Sequence, residues 1–172
     1  MHISLSTTVI TDTVHALAAL ESLSAADDTA RTLLRPLLDR ERTGILRLMV
    51  KNAFAEIILH LLPYVDGADL DNELPAVNPG HQAAGDEADT LLGIDLRLPA
   101  GVSATLGPLL RRNLELAVTY RVLAVAVTSA SSVSDVASTL ASSFSDRSAN
   151  AVAAMLAALR SPGRPFIRSR AY

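Results

Sequence analysis

The residues best placed to do chemistry are Glu56 and His60, which stand four positions apart. At that spacing a carboxylate and an imidazole face each other on a helix and could bind a metal ion together. A dinuclear metal bundle needs ligands on a second helix, and the sequence contains no Glu-x-x-His motif to supply them. We therefore interpret the two residues as a hydrogen-bonded or surface pair and predict neither a metal nor a cofactor. His15, alone on a helix flank, is interpreted in the same way.

A second candidate is the acidic stretch at residues 66–89, which holds seven carboxylates and no Lys or Arg. Four of the carboxylates crowd its start: Asp66, Asp69, Asp71 and Glu73. Clustered carboxylates on a loop can bind Ca²⁺, but the spacing does not fit an EF-hand loop, because Ala68 and Leu70 occupy the third and fifth positions. A solvated acidic loop is the preferred interpretation, with Ca²⁺ binding as the alternative.

Nucleophile and phosphate-binding motifs are missing from the sequence. Serines are abundant between residues 129 and 148, yet none stands in a Gly-x-Ser-x-Gly pattern, and the glycines are too scattered for a phosphate loop. These failed matches predict a protein that is not an enzyme.

The C-terminal segment, residues 161–172, is predicted to be an extended basic tail. It combines arginines with aromatic and aliphatic residues, which are types enriched at the centres of protein interfaces. The candidate partner-binding residues are Arg160, Arg164, Phe166, Ile167, Arg168, Arg170 and Tyr172. The tail could dock on a protein, contact nucleic-acid phosphates or be a disordered terminus. The acidic stretch at residues 66–89 offers the opposite charge, within one subunit or between two.

The composition predicts that these residues are positioned by helices. The 172 residues suit one domain, and the apolar half is mostly Ala, Leu and Val, with three Phe, three Tyr and no Trp. A net charge of −3 argues against a nucleic-acid binder held by bulk electrostatics, and the absence of cysteine excludes disulfides and thiolate metal sites. The N-terminus does not read as a signal peptide, and no segment is apolar and long enough to cross a membrane. We expect a protein made in the cytoplasm.

Periodicity in the first half predicts three helical segments. Thr11-Asp12-Thr13 can cap the first, and Ser24 or Asp27 can cap the second. Pro36 must lie in a first turn or divide its segment. The strongest pattern runs from Asp39 to near Pro63.

Periodicity in the second half predicts two longer helices. The first follows a turn at residues 99–107, and the second, capped by Ser132 or Ser134, runs to Arg160 with a candidate break near Ser145-Asp146. Residues 93–98 alternate like a short strand that can pair with the N-terminal segment. The fold class is thus mainly α: a bundle of four to five helices at residues 1–160, with a long acidic loop at residues 66–92 and an optional two-stranded β element.

The last helix is unusually poor in charge. Between residues 129 and 159 the charged residues are Asp135, Asp146 and Arg147. A helix exposed along one side normally carries more charge than this. Either the helix is central to the domain's own core, or its Ser/Ala side packs on a neighbouring subunit.

The order of these features resembles the small head–tail connector (adaptor) proteins of tailed bacteriophages. Asp27-Asp28 precede an apolar helix face, and the Ala-containing stretch at residues 52–58 follows. A variable loop, Leu98-Pro99, a helix leading to Tyr120-Arg121, a last helix and an irregular tail complete the pattern. The acidic loop is longer than the family pattern, and Leu98-Pro99 stands well before its helix.

The resemblance implies a ring of identical subunits beneath the portal, which continues the DNA channel and docks the next tail component. The implied partners are copies of the chain, portal and tail-completion proteins, and DNA that passes without sequence-specific binding, in the virion and away from membranes. The C-terminal tail would then reach the portal. The alternative hypothesis is a non-enzymatic helical module that binds a partner or regulates it as a monomer or dimer. A metal-binding bundle built on Glu56 and His60 ranks last.

Overall fold

A computed structural model describes residues 1–25, 27–39, 43–73, 90–98, 106–130 and 135–160. These residues form five α-helices and a small three-stranded antiparallel sheet, which confirms the mainly α fold class. In chain order the elements are β1 (His2–Ser6), α1 (Thr7–Ser24), α2 (Asp28–Leu34), α3 (Thr43–Leu61), β2 (Val65–Glu73), β3 (Thr90–Leu96), α4 (Gly107–Ala130) and α5 (Asp135–Arg160).

The first helix begins earlier than the sequence predicts. Ser6, not the Thr11-Asp12-Thr13 segment, is the N-cap: its backbone is extended and its hydroxyl accepts a hydrogen bond from the Val9 amide at 3.1 Å. Thr11 is buried inside the helix and donates to the Thr7 carbonyl at 2.8 Å. Several neighbouring Ser and Thr residues are equally good caps, so pairing of β1 in the sheet decides where the helix begins.

The second helical segment follows the prediction. Asp27 is its N-cap and accepts from the Thr29 amide at 2.9 Å. Pro36 then divides the segment, because it lies in a short 3-10 turn, Arg35–Leu37, where its missing amide hydrogen costs little. The following helix, predicted from Asp39, begins at Thr43 in the described residues.

The sheet corrects the prediction of a loop at residues 66–92. β1 pairs with β3, as expected, with Ile3 opposite Ile94 and Leu5 opposite Leu92. The other side of β3 pairs with β2, so the sheet has three strands in the order β1-β3-β2 rather than two. Pairing satisfies backbone groups whatever the side chains are, and an edge strand tolerates Asp and Gly facing water. The remainder of the predicted loop, residues 74–89, lies outside the described residues.

The core lies around α4, which contacts α1, α3 and α5. Its buried apolar residues are Leu110, Leu114, Ala117, Val118, Val122, Leu123, Ala124 and Val127. The sheet is tied to this core by Thr7, whose buried hydroxyl accepts a hydrogen bond from the Thr90 amide at 3.2 Å. Among the described helices, none has the length and apolarity required to cross a membrane.

The last helix is continuous, so the predicted break near Ser145-Asp146 is wrong. The buried Ser148 hydroxyl donates to the Ala117 carbonyl of α4 at 2.8 Å, and the Phe144 ring stacks on Tyr120 with centroids 6.4 Å apart. These contacts hold α5 against α4 through the polar segment. The proposed caps Ser132 and Ser134 lie outside the described residues.

Candidate functional site

The predicted interface tail can be located only at its start. Arg160 is the last residue of α5 and is exposed. The other six candidates lie outside the described residues: Arg164, Phe166, Ile167, Arg168, Arg170 and Tyr172. The tail therefore remains a prediction.

The observed hydrogen-bond partner of Glu56 is Arg121 rather than His60. Arg121 on α4 donates from Nε to Oε2 at 2.7 Å and from Nη2 to Oε1 at 2.6 Å. Such a two-pronged contact orients the carboxylate toward α4. His60, one turn further along α3, is exposed. Across the described part of the chain, no group of three His, Cys, Asp or Glu side chains comes together to hold a metal ion.

A cleft of about 280 Å³ lies beside this ion pair, between α3 and α5. Glu56, His60 and Arg121 supply its polar side, and its other lining residues are Ile57, Ser145, Ser148, Ala149, Val152, Ala153 and Leu156. Glu56 and Arg121 already satisfy each other, and Ser148 donates to a backbone carbonyl. The cleft therefore contains a structural ion pair rather than an activated nucleophile with its base.

The other histidine singled out by the sequence, His15, has a structural contact. Its Nδ1 lies 2.5 Å from the carbonyl oxygen of Leu37, which ends the 3-10 turn. The contact joins α1 to the turn after α2 and supports the interpretation of His15 as a residue of the fold.

Of the four carboxylates at the start of the acidic stretch, Asp66 is the one whose side chain the structure describes. Asp66 lies in β2 and forms an ion pair with Arg97, just beyond β3. This carboxylate raises the pKa of the Arg97 guanidinium above its ordinary value by accepting its hydrogen bond. The side chains of Asp69, Asp71 and Glu73 are outside the described set, so the Ca²⁺ alternative stays untested.

The inner face of α5 packs on the domain's own core. Phe144, Met155 and Leu159 are fully buried there. Arg147 lies beside the stacked rings, 5.6 Å from the Tyr120 centroid, and donates to Glu21 of α1 at 2.5 Å. The Glu21 carboxylate raises the pKa of Arg147 above its ordinary value, so the guanidinium stays charged. One of the two predicted roles of α5, a place in the core, is therefore observed.

The outer face of α5 remains exposed and small. From Ser148 to Leu159 the helix has no charged residue, and its exposed positions are Ala149, Asn150, Ala153, Ala154 and Ala157. We call these five residues the α5 outer face. The second predicted role, packing on a neighbouring subunit, concerns this face.

The most unusual surface of the described residues lies on α3, and sequence reasoning missed it. Six residues alternate at spacings of three and four along its solvent side: Ile45, Leu48, Asn52, Ala55, Leu59 and Leu62. Ile45 and Leu48 are 61% and 59% exposed, and Leu59 and Leu62 are 64% and 55% exposed. Leu62 lies one residue past the end of the helix, in the 3-10 turn Leu62–Tyr64. We call these six residues the α3 outer row.

The opposite side of α3 is apolar as well. Its buried residues are Leu46, Val50, Ala53, Phe54, Ile57, Ile58 and Leu61. At 3.6 residues per turn, the outer row points directly away from this core-facing set. A helix of a folded domain normally has one apolar stripe, which faces the core, whereas α3 has a second one whose four large aliphatic side chains stay more than half exposed among the described residues.

The signal for this surface is visible in the sequence once two interleaved sets are separated. Periodicity merges Ile45, Leu48 and Asn52 with buried Leu46 and Val50 into one helical pattern, because all of them fit helical spacing. Counting the apolar positions around the helix, rather than along it, would have shown more apolar positions than a single core-facing stripe can hold.

Comparison of the chain with protein-family models, with curated proteins and with solved structures found no match. Functional inference therefore rests on the surfaces described above.

Proposed function

We propose that the protein is a non-enzymatic structural subunit that works by associating with other copies of itself, as the head–tail adaptors of tailed bacteriophages do. The observation that carries the proposal is the α3 outer row. Four large aliphatic side chains, each more than half exposed, lie in line along α3 and the turn that follows it. The four form two apolar pairs separated by Asn52 and Ala55. Exposed apolar patches mark interaction sites on folded proteins.

The ring arrangement is the finer part of the proposal. A ring of identical subunits needs two different surfaces on each subunit, one for each neighbour. The α3 outer row and the α5 outer face are two such surfaces: one carries large aliphatic residues and the other small ones. Their sizes suit interdigitation of large side chains over small ones.

The remaining partners follow from the same proposal. The ring lies beneath the portal in the virion, continues the DNA channel and receives tail-completion proteins on its other side. The tail at residues 161–172 then serves as the arm that reaches the portal. Support for the non-enzymatic part comes from the cleft beside α3, where Glu56 and Arg121 neutralise each other.

A second candidate function is a dimeric helical module that binds or regulates a partner. The spacing of the α3 outer row favours it, because alternating steps of three and four residues are the seam of two identical helices packed together. In this case assembly ends at two copies and does not lead to a ring.

The mass of the purified protein in solution, measured by light scattering after size-exclusion chromatography, tests both candidates. A particle of many copies supports the ring, and a dimer supports the second candidate. Leu48→Glu should shift either particle toward the monomer, since it places a charge in the row. Leu23→Glu is the matched control, because Leu23 on α1 is 81% exposed and lies outside the row.

A protein that stays monomeric at concentrations up to about 1 mM, and that the Leu48→Glu change leaves unaltered, would contradict self-association as the function.

A further inference from the structure

We infer that the α3 outer row binds the α3 outer row of a second copy, with the two helices parallel and related by a two-fold axis. The inference rests on the second candidate function and names its partner: another copy of this chain. It is an alternative to the ring, in which the same row packs on the α5 outer face. Its evidence is the identity and order of the six residues in the row.

The row has the pattern of a two-stranded parallel seam. In a heptad labelled a to g, Ile45, Asn52 and Leu59 take position a. Leu48, Ala55 and Leu62 take position d. A β-branched residue at a with leucine at d favours two parallel strands over three or four. Ile45 and Leu48 form such a layer at the start of the helix.

Asn52, in the middle of the row, sets the register. When two parallel helices are in register, each Asn52 faces the other, and the two amides can hydrogen-bond across the seam. A shifted register would place the amide against Ile45 or Leu59, where its polar atoms would be buried without partners. A single polar residue at position a is the known device for fixing register and limiting assembly to two strands.

The charges beside the row favour the parallel orientation. Lys51 takes position g and Glu56 takes position e, so a parallel pair brings Lys51 of one copy to Glu56 of the other on both sides of the seam. An antiparallel pair would bring like charges together. Glu56 holds Arg121, and Lys51 also has a partner within its own subunit. The Glu56 side chain is nevertheless 42% exposed, and a carboxylate has further acceptor positions.

The contact is short, which predicts its strength. The row spans 18 residues, or about 26 Å of helix. The domain already holds α3 in helical form, so the pair forms without the entropy cost that makes short isolated helices unstable. The seam still lies at the small end of protein interfaces, and we expect a reversible dimer that depends on concentration.

Disulfide trapping provides a direct test, because the natural sequence has no cysteine to interfere. In the parallel pair Ile45 faces Ile45 of the second copy, so Ile45→Cys should form a disulfide-linked dimer under mild oxidation. In an antiparallel pair centred on Asn52 the two positions lie about 20 Å apart, beyond disulfide reach. Asn52→Cys forms the link in either orientation and serves as the companion variant.

The control is Ala16→Cys, at an exposed position of α1 away from the row. The expected result is trapping of Ile45→Cys and Asn52→Cys at least about tenfold faster than Ala16→Cys, with loss of this difference when Leu59→Glu is added. Since Leu59 is exposed, this charge should not unfold the single subunit, and circular dichroism checks that it does not.

Three results overturn the inference, and they separate it from the proposed function. Trapping of Asn52→Cys alone means that the helices are antiparallel. Equal, slow trapping of all three variants in a particle of many copies removes the two-fold pair and leaves the ring. Equal, slow trapping in a monomeric protein removes the pair and self-association together.

Discussion

The Arg121 guanidinium donates two hydrogen bonds to the Glu56 carboxylate, and this ion pair joins two helices through residues that lie 65 positions apart in the sequence. The pair lies on the floor of the cleft between α3 and α5, half-buried. It adds to the packing of the seven buried residues of α3. Together these contacts set how the helix is rotated and which of its residues form the α3 outer row.

Glu56→Gln should lower the free energy of unfolding by about 1 kcal/mol, because a half-buried two-pronged ion pair becomes a weaker neutral contact. Urea unfolding followed by circular dichroism measures the change. Glu115→Gln is the control: Glu115 pairs with Arg111 one turn away on the exposed side of α4, and such pairs contribute about 0.3–0.5 kcal/mol. Equal losses in the two variants would show that the Glu56 pair does not hold the helices together.

Phe144→Ala should lower the free energy of unfolding by about 3–5 kcal/mol. Removal of the fully buried ring leaves a cavity between α4 and α5 and abolishes the stacking on Tyr120. A loss of that size can unfold the domain, so Phe144→Leu, at about 1–2 kcal/mol, gives the graded measurement. Leu23→Ala, at the 81% exposed position, should change stability by less than about 0.5 kcal/mol. If Phe144→Leu is as harmless as that control, α5 is not packed as described.

Thr7→Val should lower the free energy of unfolding by about 1–3 kcal/mol, although the side chain keeps its shape. The buried Thr7 hydroxyl accepts the Thr90 amide hydrogen, and valine leaves that donor without this acceptor. Thermal unfolding compares it with Thr13→Val, which removes an exposed hydroxyl bonded within its own helix. Hydrogen exchange at Thr90 should speed up only in the Thr7 variant. Unchanged exchange there would mean that the hydroxyl does not tie α1 to the sheet.

Asn52→Leu should strengthen self-association and make the number of copies in the assembly less uniform. The change replaces a polar residue in the seam with an apolar one, so the pair gains stability and loses the feature that fixes register and copy number. Sedimentation across a concentration series should show tighter dimers together with larger species. A weaker dimer would indicate that Asn52 makes a contact other than the one with its counterpart.

The helices could be predicted from the sequence because each one has a clear apolar stripe, and Asp27 and Pro36 act locally at their predicted positions. Strand β2 could not, since Gly67 and Asp69 have low strand propensity and are held there by pairing with β3. The same limit explains Glu56: sequence spacing offers it His60, whereas packing brings Arg121 from a distant helix.

The candidate interface was predicted only in part. The charge-poor character of α5 is a property of composition and could be recognised directly. The sequence shows that α3 has more apolar positions than one core-facing stripe uses, but Leu46 and Leu48 look alike until α4 and α1 show which of them they cover. Orientation on the scaffold, rather than residue type, separates the two sets.

The position of β1 in the sheet has a consequence during synthesis. Leu5 pairs with Leu92, so the first strand emerges from the ribosome long before its only described partner strand. At ordinary translation rates the delay is on the order of 5–20 s. Throughout that interval β1 and the apolar sides of α1 and α3 have no α4 to cover them. Rare codons between residues 61 and 130, which lengthen this interval, should therefore raise aggregation of the nascent chain more than those after residue 130.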